Sequence, residues 1–230
     1  MIDLELNSSI DLKREGKSFY WASFFLPKSS KKNAGILYSI CRYFDDIADK
    51  YSEDQTNYLK NSIQEIKNNK SNKVSIFLKE NKINNSIFID LIEGLILDQK
   101  KIKIQNKEEL IKYSYHVAGT VGLMMSTIIG VKHEKAAKSA IDLGIGMQLT
   151  NIARDVYEDS KMKRIYLPAN WIPDISLKNL TDLHNKSSEK DERISNAIHE
   201  VIGLSDKFYE NGFAGLKYIP LSTRLGIFIA

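Results

Sequence analysis

The sequence is poor in the residues that staple or punctuate a fold. One cysteine, Cys41, occurs in 230 residues, so an internal disulfide is excluded and a reducing compartment fits. The four histidines stand at 116, 133, 184 and 199, too scattered to build a structural zinc site with that one thiol. Prolines occur only at 27, 168, 173 and 220; the long interval between the first two reads as successive helices. Long apolar runs are missing as well. The longest stretch, Ile87–Leu97, is broken by Asp90 and Glu93, so no helix can span a bilayer. The N-terminus lacks the basic-then-apolar order of a signal peptide. Together these make the cytoplasm the expected compartment. Gly144 and Gly146 form a G-x-G without a third glycine or a preceding strand, which argues against a dinucleotide fold. The net charge is only +4, from 33 Lys+Arg against 29 Asp+Glu. The lysines are dispersed among Asn and Ser without interleaved aromatics, so no nucleic-acid partner is expected. A basic face turned to anionic lipid or to a diphosphate stays open.

What is present is ordinary globular material, 43% hydrophobic and 27% charged, patterned for helices. Ala34, Leu37, Tyr38 and Cys41 recur at helical spacing, with Pro27, Ser29 and Ser30 as the start signal. Further helices are expected over 51–69, 84–98, 107–130, 133–159 and 189–209, with a short one over 211–218. A loop falls at 68–72, and 161–175 is irregular. No strand-like alternation is strong. The fold class expected is all-α, one domain over 1–230, with helices around a common core. The chain stops inside an apolar run, Leu225–Ala230, which reads as a helix cut short of its natural end.

Two acidic clusters stand out. In the first, DDIAD, Asp45 and Asp49 are i and i+4, with Asp46 beside them. In the second, NIARDVYED, Asp155 and Asp159 repeat that spacing, and Asn151 and Gln148 extend the row. Like charges one turn apart cost an isolated helix about 0.2–0.5 kcal/mol, and Asp is a poor interior helix residue. The flanks Ile145, Met147, Leu149, Ile152 and Ala153 are apolar or small. An Asp row among such flanks is expected to face a cavity. Either cluster alone reads as a solvated helix face; the pair favours a site. Hard carboxylate oxygens suit Mg²⁺ that also holds phosphate oxygens. Arg42, Arg154, Lys163 and Arg164 lie close in sequence, and arginine forks onto phosphate. The alternative for Arg42 is an intrahelical pair with Asp45 or Asp46. Phe19, Trp21, Phe24 and Phe25 form an aromatic stretch expected in the core, Phe19 also being a candidate for a tunnel wall. Glycines 119 and 122, with Val117 and Met125, serve either close helix packing or room for a ligand. His116 reads as a supporting hydrogen bonder and Cys41 as core.

These residues resemble the head-to-head prenyl synthases, the squalene, dehydrosqualene and phytoene synthases. The matching segments are SFYWASFFLP (18–27), ILYSICRYFDDIAD (36–49), YSYHVAGTVGLMM (113–125), GMQLTNIARDVYED (146–159) and RIYLPANW (164–171). Their wording is most like that of bacterial phytoene synthases. The resemblance implies an isoprenoid-synthase-type helical bundle with a central cavity. It implies condensation of two geranylgeranyl diphosphates through prephytoene diphosphate to 15-cis-phytoene, with Mg²⁺ (or Mn²⁺) and no NADPH. Carried over residue by residue, Asp45, Asp46 and Asp49 form one metal-binding motif. Asn151, Asp155 and Asp159 form the other, with Gln148 beside them. Ser18, Arg42, Arg154 and Arg164 contact diphosphate. Tyr38, Tyr115 and Tyr166 line the cavity near the reacting carbons, with Phe19. The family's usual last C-terminal helix has no counterpart here. A C20 substrate implies peripheral contact with the inner face of the membrane. Three competitors remain: a squalene or dehydrosqualene synthase using farnesyl diphosphate; a non-enzymatic relative of the complex I assembly-factor type, which would be expected to lose its acidic residues; and a general Mg²⁺ diphosphate hydrolase, which would release diphosphate without forming a C–C bond.

Overall fold

The computed structural model describes residues 17–50, 52–99, 103–181, 189–219 and 221–229, with side chains described except at 17–19, 222, 228 and 229. Twelve α-helices occur among them. They are α1 (Lys17–Ala22), α2 (Lys28–Asp49), α3 (Glu53–Lys67), α4 (Lys73–Glu80), α5 (Asn85–Asp98), α6 (Lys107–Ser114), α7 (Thr120–Ile128), α8 (Glu134–Arg154), α9 (Val156–Lys161), α10 (Leu177–Thr181), α11 (Glu189–Phe213) and α12 (Leu221–Ile229). The described residues contain no strand, only an isolated bridge between Lys103 and Ile165. No helix among them is long and apolar enough to cross a membrane.

The asparagines that give the chain its polar cast start several of these helices. The Asn72, Asn84 and Asn106 side chains accept from Ser75, Ser86 and Glu109 backbone N–H groups, and Ser52 accepts from Gln55. Each replaces a hydrogen bond that the first turn cannot make within itself. Helix α4, absent from the sequence reading, is one of them: eight residues are too short for a clear period, but the Asn72 cap and the buried Val74, Phe77 and Leu78 define it.

Two long helices are not as the pattern predicts. The stretch over 107–130 is interrupted by a π-helical turn at Tyr115–Gly119, a feature common at functional sites. The expected helix over 133–159 breaks at Asp155, whose backbone (φ −102°, ψ 17°) leaves the helical region between α8 and α9. The polar row from Gln148 to Asp159 is therefore bent. The expected short helix over 211–218 is instead the end of α11 and a 3₁₀ turn, Leu216–Tyr218; Pro220 lies outside the described residues.

Two apolar cores result. One joins α2, α3, α4, α5 and α7 through Leu37, Ile40, Phe44, Phe88, Ile92 and Met124. The other joins α6, α8, α9, α10 and α11 through Leu110, Ile145, Leu149, Val156, Leu180 and Val201. At the seam, α7 and α8 approach backbone to backbone. A Cβ on Gly122 would stand 2.1 Å from the Ala140 carbonyl oxygen, and one on Gly144 would stand 2.4 Å from that of Ala118. Gly122 thus does both things the sequence allowed, since it also lines the cavity that runs along the seam, as does Gly144; Gly119 serves packing, against Tyr115, Ile141 and Ile145, and is not among the lining residues.

Candidate active site

That cavity measures about 690 Å³, within the range of about 300–1,000 Å³ that holds small-molecule ligands. Along α8 its wall runs from Ala136 to Asn151, about 22 Å at the helical rise. Most of the wall is apolar, including Leu37, Leu95, Val121, Met125, Leu143 and Met147. Its charged side chains are Arg42, Asp45 and Asp98, and the amides of Gln148 and Asn151 also line it.

The charged end is built by α2, α5, α8, α9 and the segment after α9. On α2, Arg42 reaches Asp45 at 3.0 Å and Asp46 at 2.9 Å, so the intrahelical pairing allowed by the sequence is present. Arg154 grips its neighbour Asp155 through two bonds of 2.6 Å and stays largely exposed. Lys163, at φ 62°, closes α9 in the left-handed conformation, and the Arg164 N–H donates to the Asp159 carbonyl at 2.9 Å. This turn sends the Arg164 side chain across to Asp49 at 2.9 Å. One arginine thereby ties the two acidic motifs together across 115 positions.

The carboxylates crowd each other. Burial and the charge of Asp49 push the Asp45 carboxyl up to about 6, against the pull of Arg42. Burial and Asp155 push Asp159 up to about 7, against Arg164. Burial opposes the charge on Arg164, yet Tyr166, the bond to Asp49 and Asp98 hold its pKa above the usual arginine value. The site carries more negative charge than its arginines neutralise, which is the condition in which a divalent cation stabilises a carboxylate group. Among the described residues no three His, Cys, Asp or Glu side chains converge into a ready-made metal site. The donors nonetheless fit Mg²⁺, which takes few protein carboxylates and completes its shell with water and phosphate.

Between the motifs stands a residue the sequence reading missed. Asp98, at the end of α5, accepts from the Tyr113 hydroxyl at 2.9 and 2.8 Å and from the Tyr166 hydroxyl at 2.7 Å. The two rings stack at 5.0 Å. Burial raises the Asp98 carboxyl, while both hydroxyls favour its charged form. Tyr113 was also missed. Its signal was available: Tyr113, Val117, Val121 and Met125 recur every fourth residue, and all four line the cavity.

The other expected residues divide. Tyr38 lines the cavity, as do Gln148 and Asn151. Tyr166 is not among the lining residues and reaches the site through its hydroxyl bond to Asp98. Tyr115 is not among the lining residues, and its hydroxyl donates to Asp90 at 3.3 Å. His116 Nδ1 lies 2.9 Å from the Asp90 carbonyl oxygen, in keeping with a supporting role. Cys41 packs against the first core, as expected, and also lines the cavity. The side chains of Ser18 and Phe19 lie outside the described residues. Trp21, Phe24 and Phe25 depart furthest from the core expected for them, at 63%, 53% and 40% exposed.

Comparison with known proteins decides the family. The model of the squalene/phytoene synthases matches residues 12–230. The chain belongs to the squalene/phytoene synthase family. Family members are prenyltransferases, and so is this chain. It is 31% identical to 15-cis-phytoene synthase of Enterobacter agglomerans, over 92% of this chain and 77% of that one. It is 30% identical to the phytoene synthase of Thermus thermophilus, over 91% and 74%. Among solved structures, a dehydrosqualene synthase in complex with ligand aligns with a TM-score of 0.81 at 25% identity, over 96% of this chain and 82% of that chain. A squalene synthase from Alicyclobacillus acidocaldarius aligns at 0.78 and 19% identity, over 95% and 85%, and shares the fold. The family's all-α architecture is the one observed, including the cavity between helices.

Proposed function

We propose that the chain is a phytoene synthase, joining two geranylgeranyl diphosphates head to head. The observation that carries the reading is a long, mostly apolar cavity lined by Asp45 of one acidic motif and Asn151 of the other, the two motifs being tied together by the Arg164–Asp49 pair. A prenyl diphosphate has the same division, a hydrocarbon chain with a charged end. The similarity to bacterial phytoene synthases supports the C20 substrate.

Asp45, Asp46 and Asp49 on one side, and Asn151, Asp155 and Asp159 on the other, would hold Mg²⁺ or, in its place, Mn²⁺. When bound, the metal supplies Lewis-acid charge to the leaving diphosphate. Arg42, Arg154 and Arg164 exchange their carboxylate partners for phosphate oxygens, and Gln148 orients the head group. Departure of the first diphosphate leaves an allylic cation, which the C2–C3 double bond of the second substrate attacks; loss of a proton from C1 of the ionised chain, to the released diphosphate, closes the cyclopropane. The cyclopropyl product loses its own diphosphate, rearranges and gives up a proton to the released diphosphate. No hydride enters, so NADPH is not required. The apolar walls exclude the water that would convert a cation to an alcohol. The ring faces of Tyr38 and Tyr113 stabilise positive charge beside them. A substrate with a C20 chain partitions into lipid, and the protein works at the membrane surface.

The test is incubation of purified protein with labelled geranylgeranyl diphosphate, with and without Mg²⁺, followed by hexane extraction. A Mg²⁺-dependent C40 hydrocarbon formed without NADPH is expected. Asp45→Asn and Asp155→Asn should abolish it while the helical CD spectrum persists. A C30 product from farnesyl diphosphate, with no C40 product, would replace this reading by the dehydrosqualene type.

A further inference from the structure

The apolar end of the cavity has an unusual outer surface. Helix α1 and the 3₁₀ turn Ser23–Phe25 pack against α12. Gly226 permits the approach, since a Cβ there would meet the Ala22 carbonyl oxygen at 3.0 Å. Within this pair of helices, inside and outside alternate. Ala22, Ser23, Gly226 and Ile227 line the cavity. Their immediate neighbours Trp21, Phe24 and Leu225 face outward, 63%, 53% and 51% exposed, and Leu221, one turn before Leu225, is 73% exposed. Tyr20, Trp21 and Phe24 form one ring cluster, with centroids 5.1–5.8 Å apart. Exposed large apolar groups clustered this way mark an interaction surface.

The charge around the patch is of one sign. No Asp or Glu occurs in 17–44 or in 211–230, although the chain has 29. Lys28 and Lys32 are exposed at the start of α2, and Lys31 lies over the Phe24 ring at 3.4 Å. Arg224 on α12 donates to the carbonyls of Ile219 and Lys217. Tryptophan and tyrosine flanked by lysine are the residues that settle at a membrane–water interface, and lysines there are drawn to anionic lipid.

We infer that the outer face of α1, the 3₁₀ turn and α12 docks on an anionic bilayer, and that the apolar end of the cavity thereby opens toward lipid. This deepens the condensation reading and, for its second half, rests on it: a C40 hydrocarbon then leaves the cavity directly into the membrane. The docking itself requires no turnover.

The experiment uses vesicles of phosphatidylcholine alone or with about one-third phosphatidylglycerol, and no substrate. The chain has two tryptophans, so Trp171→Phe leaves Trp21 as the reporter. Sedimentation with the anionic vesicles and a blue shift of Trp21 emission are expected, both weakened by salt. Lys28→Glu with Lys32→Glu should weaken the partition about fivefold or more per lysine. Leu225→Asp should weaken it about tenfold, with an unchanged CD spectrum. Failure to bind anionic vesicles overturns the inference, as does equal weakening by Ile202→Asp on the exposed face of α11. A dimer that Leu225→Asp splits, in protein that ignores vesicles, assigns the face to a second copy and also overturns it. Product formation is assayed separately in detergent micelles. Vesicle binding without product there defeats the condensation reading alone; product without vesicle binding defeats the docking alone.

Discussion

Asp98 offers the sharpest test of the site's construction. Its carboxylate accepts three bonds from two tyrosine hydroxyls, and Tyr113 and Tyr166 are 6% and 7% exposed. Asp98→Ala leaves both hydroxyls without their acceptor. A buried donor left unpaired costs about 1–3 kcal/mol. Against this, the substitution removes a charge that repels Asp45, Asp49 and Asp159. A net loss of about 3 kcal/mol is expected, lowering Tm by roughly 6–12 °C for a chain of this length. Asp98→Asn separates the two effects. It keeps one carbonyl acceptor and removes the charge, so the metal-free protein at pH 8 should melt close to wild type. Tyr113 then loses the carboxylate that fixes its hydroxyl at the charged end of the cavity. If Asp98 positions that ring, kcat falls about tenfold to a hundredfold while KM moves less. Calorimetry and steady-state turnover on both variants supply the numbers. Asp98→Ala melting within about 2–4 °C of wild type, equivalent to less than about 1 kcal/mol, would refute the hydrogen-bond argument. Wild-type kcat in Asp98→Asn would refute the positioning role.

Three further outcomes are expected. Gly144→Ala should destabilise by about 1–3 kcal/mol, because its Cβ would meet the Ala118 carbonyl oxygen at 2.4 Å, where backbone cannot yield as a side chain would; thermal unfolding reads this directly. Without metal, Asp45 and Asp159 bind protons more tightly folded (about 6 and about 7) than an ordinary aspartate does at 3.8. Their contribution to stability therefore falls as pH rises from about 4 to about 7. Tm in EDTA should be higher at pH 5.5 than at pH 8 from these groups, and Mg²⁺ should raise it more at pH 8; the opposite order would count against crowded carboxylates. Cys41 is pushed up to about 12 by burial and by Asp45. Its thiol should react slowly with a disulfide reagent at pH 8 until the chain unfolds, and rapid native labelling would contradict the burial.

Much of this protein was legible in its residues because the determining interactions are local. Helix spacing and the scarcity of proline depend on neighbours within a few positions, and they specify an all-α chain. The i, i+4 aspartate pairs were equally visible, and their cost to an isolated helix is what marked them as a candidate site. What depended on distant parts of the chain could not be read this way. Asp98 is a single acid at the end of an apolar helix, and only folding brings Tyr113 and Tyr166 to it. The break at Asp155 and the left-handed turn at Lys163 aim Arg164 at Asp49, a pairing across 115 positions. The exposure of Trp21, Phe24 and Phe25 was invisible too, since an aromatic stripe looks the same whether it is covered or bare. Local patterning determines which helices form, because hydrogen bonds and periodicity act along the chain. Which side chains meet, and which are left outside, is decided by packing among elements far apart in sequence.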